Sequence, residues 1–147
     1  MPKTNLEIIH EMEAALGHNQ ADLTEYFHED FIWSANFGCG VKQGLDGFER
    51  GWYGPWREVF GNQVFKTEHY MEDGKWASCF GFCEATLEKE FMGIKATGQK
   101  IKIAYMDFWR FKDGKIIENR VSVDFAAVMN QLGVDPFKGE GWEKYDG

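Results

Sequence analysis

The 147 residues carry 16 Lys and Arg against 24 Asp and Glu, a formal charge of −8, with 44% hydrophobic and 16% aromatic residues. That length suits one core, which places residues 1–147 in a single domain, and so many large rings exclude a disordered chain. An acidic balance without a basic cluster argues against a nucleic-acid partner, and no apolar run reaches the roughly 20 residues of a membrane span.

Residues 4–16 read as an amphipathic helix, with Thr4 and Glu7 at capping-box spacing and Leu6, Ile9, Met12 and Leu16 on one face. Leu23, Tyr26 and Phe27 suggest a second short helix over 22–27, followed by an extended segment, 31–37, and a Gly-rich loop, 38–47. Phe48, Trp52, Trp56, Val59 and Phe60 recur at helical spacing between Asp46 and Asn62, with Gly51, Gly54 and Pro55 kinking the middle. Strands are expected at 64–71, 76–87, 99–111 and 115–123, because Asp73-Gly74 and Asp113-Gly114 are strong hairpin signals. A short helix, 125–132, ends at Gly133. Helices first and a long antiparallel sheet afterwards give an α+β domain.

Two-residue turns fix the expected register by arithmetic. In the first hairpin, Phe65, Thr67, His69 and Met71 share a face with Trp76, Ser78, Phe80 and Phe82, and its bulk assigns that face to the core. Cys79 and Cys83 fall on the opposite face from His69, so a Cys–His nucleophile is not expected. In the second hairpin, Tyr105, Asp107, Trp109 and Phe111 share a face with Ile116, Glu118, Arg120, Ser122 and Asp124, placing Asp107 opposite Arg120. Carboxylates among aromatic rings can be driven to different protonation states and divide general acid from general base. The same alternation also describes a solvated hairpin face carrying a weak cross-strand ion pair.

Other chemistries find no support. Gly38-Cys39-Gly40 with Gly44 lacks the spacing and βαβ context of a dinucleotide site, and phosphate-loop, GxSxG and HExxH motifs are absent. The four histidines are scattered, with His28 expected to fix a turn, and the three cysteines form neither a metal spacing nor an even disulfide set. No metal site is expected from these spacings, and the location expected is the cytoplasm.

Lys95-Ala96-Thr97-Gly98, the run from Asp107 to Glu118, Asp124 followed by Gln131-Leu132-Gly133, the stretch from Tyr26 to Phe31, and Gly141-Trp142 together resemble the SnoaL-like polyketide cyclase family. The resemblance implies a cone-shaped α+β barrel of the nuclear-transport-factor-two-like kind, with helices packed on a curved sheet around an apolar cavity. It also implies cofactor-independent aldol ring closure, with Asp124 at the position of the principal acid/base residue. Asp107 falls where those cyclases carry a histidine, and Arg120 where many relatives carry Trp. On this footing Asp124, Asp107 and His69 are the candidate catalytic residues. Arg120, Trp109, Tyr105, Trp33 and Phe82 are the candidate substrate-binding residues. The expected ligand is a small hydrophobic carbonyl compound, turned over by cyclisation, isomerisation, dehydration or hydrolysis. A non-catalytic binding module, or a pocket filled by the chain's own rings, fits the same residues. Met106, Phe108, Ile117, Val121 and Val123 form the expected outer sheet face, through which a homodimer is expected.

Overall fold

The computed structural model describes residues 1–36 and 38–138, so the expectations placed on Phe37, Gly141 and Trp142 lie outside the described residues. The first helix, α1 (Asn5–Gly17), starts at a capping box: the Thr4 hydroxyl accepts from the Glu7 N–H, and the Glu7 carboxylate accepts from the Thr4 N–H. Ile8, Ile9, Met12 and Ala15 bury its inner face. The helix expected at 22–27 does not form. Asp22 instead accepts from the Thr24 N–H and hydroxyl, an Asx turn that leads directly into β1 (Phe27–Ala35). His28 closes the start of β1, its Nδ1 accepting from the Asp30 N–H at 3.0 Å.

After the short β2 (Val41–Gln43), one winding helical stretch comprises α2 (Gly44–Phe48), a π turn (Glu49–Tyr53) and α3 (Gly54–Val59). The expected kink therefore takes the form of an i→i+5 turn, with the Gly54 N–H donating to the Glu49 carbonyl. A Cβ on residue 54 would sit 2.8 Å from that carbonyl oxygen, which accounts for the glycine.

β3 (Phe60–Glu72), β4 (Trp76–Leu87), β5 (Lys100–Lys112) and β6 (Lys115–Val123) form an antiparallel meander, and α4 (Phe125–Gln131) follows. The strand order β2-β1-β6-β5-β4-β3, with β1 parallel to β6, makes one curved sheet that remains open, with β2 and β3 at its edges. No helix of the described residues is long and apolar enough to cross a membrane.

Two irregularities overturn the expected faces. In β3 the pairing steps from Thr67↔Gly81 to His69↔Phe80, so Glu68 is an extra residue. In β6 it steps from Phe111↔Ile116 to Arg110↔Glu118, so Ile117 is extra. Each bulge reverses the alternation beyond it. Asp107 therefore pairs with Val121 and Trp109 with Asn119, whereas Arg120 lies opposite Phe108. The first turn is also displaced, because Asp73 accepts from the N–H groups of Lys75 and Trp76, and Glu72 then pairs with Ala77. The core face of β4 carries Ala77, Cys79, Gly81, Cys83, Ala85 and Leu87, the face opposite to the one expected.

Candidate active site

The concave sheet face, α1 and the winding helix enclose a cavity of about 190 Å3. Its aromatic wall is continuous: Trp33 stacks on Trp52 at 4.9 Å between ring centroids, and Trp52 on Trp56 at 5.1 Å. Phe48, Tyr53, Phe65, Tyr105 and Trp109 add to the lining. Of the 24 aromatic residues in the chain, nine among the described residues line this cavity.

Among the described lining residues, two carboxyls break the apolar surface. Asp107 points inward from β5, where the amide of Asn119 donates to its Oδ1 at 3.1 Å and to the Phe108 carbonyl at 3.1 Å. Burial pushes the Asp107 carboxyl up to about 7, against the opposing Asn119 hydrogen bond and with help from the charge of Glu13. Glu13 reaches the same cavity from α1, accepts from the Tyr70 hydroxyl at 2.7 Å, and is also raised by burial. Nearby, the Tyr105 and Thr67 hydroxyls share a 2.6 Å hydrogen bond. Burial drives the Tyr105 phenol well above its ordinary range.

Of the sequence-derived candidates, the structure brings Asp107, Tyr105, Trp109 and Trp33 together on the cavity. It places the others elsewhere. Asp124 is exposed and caps α4, its carboxylate accepting from the Ala127 N–H at 3.0 Å. Arg120 is exposed on the convex face, where it and Arg110 hold the Glu118 carboxylate and lie over Trp76. The bulge at Ile117 carries Arg120 away from Asp107 and turns Val121 and Val123 inward. His69 is exposed and lies against Phe80, 6.0 Å between centroids, on that same outer face. Phe82 is there too, under the Lys102 ammonium at 3.8 Å.

Glu13 and Asn119 escaped the sequence reading. Glu13 had a signal, since it lies four residues after Ile9 on the apolar stripe of α1, where a carboxylate has no place in a plain core helix. Asn119 had none, because its inward position depends on the bulge. Asp124→Ala is expected to cost about 1 kcal/mol, the ordinary worth of an N-cap, while leaving turnover intact. Thermal melting and a rate assay on that variant check both halves.

A model of the SnoaL-like polyketide cyclases matches residues 8–132. Among curated proteins, nogalonic acid methyl ester cyclase from Streptomyces nogalater is 28% identical over 125 residues, covering 82% of this chain and 90% of that protein. A structure from Jannaschia sp. CCS1, described as a SnoaL-like polyketide cyclase, superposes with a TM-score of 0.76 at 18% identity over 90% of this chain and 93% of its own. An NTF2-like protein from Burkholderia thailandensis E264 gives 0.73 at 19% identity, over 88% of this chain and 98% of its own.

Proposed function

This chain belongs to the SnoaL-like polyketide cyclase family, and from that premise we propose that it is a cofactor-independent acid/base enzyme of the cyclase or isomerase type. Its substrate is a small, largely apolar carbonyl compound, and Asp107 moves the proton beside the carbonyl. The observation that carries this reading is the Asp107 carboxyl, raised to about 7, in a cavity walled by stacked rings. A group that titrates near the working pH gives and takes a proton with little penalty, and such transfer contributes on the order of 10²–10⁴-fold. The Asn119 amide holds the carboxyl in place. Tyr105 offers a hydroxyl on the same strand face, able to donate to a developing enolate oxygen while Thr67 donates to it.

Size and charge narrow the substrate. A cavity of roughly 150 Å3 holds a benzene molecule, so about 190 Å3 suits a compound of one or two rings. No Lys, Arg or His lies among the described lining residues, while two carboxyls do. Neutral ketones and esters are therefore expected to bind more tightly than the corresponding free carboxylates, by about tenfold or more, because a buried anion would face like charge without a counter-ion. Titration of matched ester and acid pairs checks this, and equal affinities would contradict it. Turnover that changes across pH 7 distinguishes the enzyme from a simple binding module, whose ligand affinity has no need of a titrating carboxyl.

The homodimer belongs to the same reading. Met71, Phe80, Met106 and Phe108 are exposed large side chains on the convex face, remote from the cavity, and a second copy of the chain is the occupant proposed for them. Phe108→Lys is expected to shift the sedimenting species from dimer to monomer at micromolar concentration. A wild-type monomer at that concentration removes this part of the reading.

A further inference from the structure

The mechanism above uses one of the two carboxyls among the described lining residues. We propose that Glu13 is the second proton-transfer residue of the cavity, held in place by Tyr70, so that Glu13 and Asp107 act as paired acid and base on one carbonyl substrate. The proposal rests on the acid/base reading of the cavity and extends it.

Geometry carries it. Glu13 occupies a position on α1 between the buried Met12 and the cavity-lining Leu16, where an apolar side chain would serve packing better. Its Oε2 accepts from the Tyr70 hydroxyl at 2.7 Å, and Oε1 takes no hydrogen bond from a described residue. Tyr70 is itself placed by two devices. The bulge at Glu68 turns both Thr67 and Tyr70 toward the concave side, and the His10 ring packs on the Tyr70 ring at 4.5 Å between centroids. Two elements far apart in sequence thus converge to orient one carboxylate. An ion pair is not the reason, because among described residues no cation contacts Glu13.

The titratable groups facing Glu13 are His10 on its own helix, Tyr70 on β3, Cys79 on β4, and Tyr105 and Asp107 on β5. Within this set Glu13 and Asp107 are the two carboxyls, and each disfavours ionisation of the other. In the proposed cycle one of the two is ionised while the other carries a proton. The ionised carboxylate removes a proton from the carbon next to the substrate carbonyl, and the protonated partner gives its proton to the carbonyl oxygen, forming the neutral enol. When the enol carbon attacks a second carbonyl, or picks up a proton at another carbon, both protons return in the reverse sense. The product is an isomer of the substrate, and nothing is oxidised or reduced.

Exchange of the α-protons of 2-indanone in D2O, followed by proton NMR, tests the pair without the natural substrate. Wild type is expected to catalyse exchange with a bell-shaped pH profile. Glu13→Gln is expected to lower the rate about ten- to a hundredfold and to leave a single limb, while melting as a folded protein. Tyr70→Phe keeps the ring on His10 and is expected to displace the limb owed to Glu13. Wild-type rate and profile in Glu13→Gln, together with loss of exchange in Asp107→Asn, overturn the role of Glu13 and leave the Asp107 reading standing. The opposite pattern overturns Asp107 as the proton carrier, and a wild type no faster than buffer overturns both.

Discussion

Asp107→Asn is expected to yield an inactive protein that is more stable than wild type above neutral pH. The carboxyl has an ordinary value of 3.8 and is raised to about 7 by burial in the folded chain. Between those values the unfolded chain has released its proton and the native chain has kept it. The unfolded state therefore binds fewer protons, and stability falls as pH rises through that window. Above pH 7 the whole cost is present, on the order of 4 kcal/mol for about three units of displacement. An asparagine never ionises, and its carbonyl can still accept from the Asn119 amide. Its melting temperature should exceed that of wild type by on the order of 10 °C at alkaline pH, with the gap closing as pH falls toward the ordinary carboxylate value. Calorimetry across pH reads this directly, and a pH-independent gap would contradict the assignment. Turnover should fall by about 10²–10⁴-fold in the same variant. A residue that weakens the fold and is required for the chemistry is what a stability-activity conflict looks like at a single site.

Gly81→Val is the second large effect. Gly81 faces Thr67 on β3 just before the pairing steps, and a Cβ there would lie 2.5 Å from the Lys66 carbonyl oxygen and 2.6 Å from the Thr67 Cα. Both are backbone atoms that cannot rotate away. Valine must push β3 off β4, at about 3 kcal/mol or more. The damage should not stop at stability, since Thr67 and Tyr70 travel with the displaced strand and Tyr70 orients Glu13. Denaturant unfolding is expected to show a lower midpoint, and α-proton exchange should fall in the fraction that remains folded. An unchanged midpoint would mean that β3 does not need the close approach.

The elements were legible where local chemistry decides them. Thr4 with Glu7 marked the start of α1, and Asp113-Gly114 marked a true two-residue turn, with both residues at positive φ and Lys112 paired with Lys115. The fold class and family followed from such signals taken in order. Facing was not legible, because it depends on counting by twos along a strand, and a single extra residue such as Glu68 or Ile117 inverts the count. The first hairpin was misread through bulk as well. Phe80, Phe82 and Trp76 outweigh Cys79, Gly81 and Cys83, yet the small residues face inward, on the buried side of β4 against which α1 packs. Asp107, Tyr105 and Trp109 were recovered because β5 carries no bulge between them. Arg120 and Asp124 were misplaced because they lie beyond the one in β6.

The irregular pairing of β3 has one more consequence. β3 is an edge strand of 13 residues, long enough to offer a row of unpaired N–H and C=O groups to any passing chain. The extra residue at Glu68 and the break between Gly61 and Val64, where Asn62 adopts a φ of 52°, divide that row into short runs that no straight strand can zip onto. The distortion that turns Tyr70 toward the concave side therefore also breaks up the edge that a second strand would need to pair with.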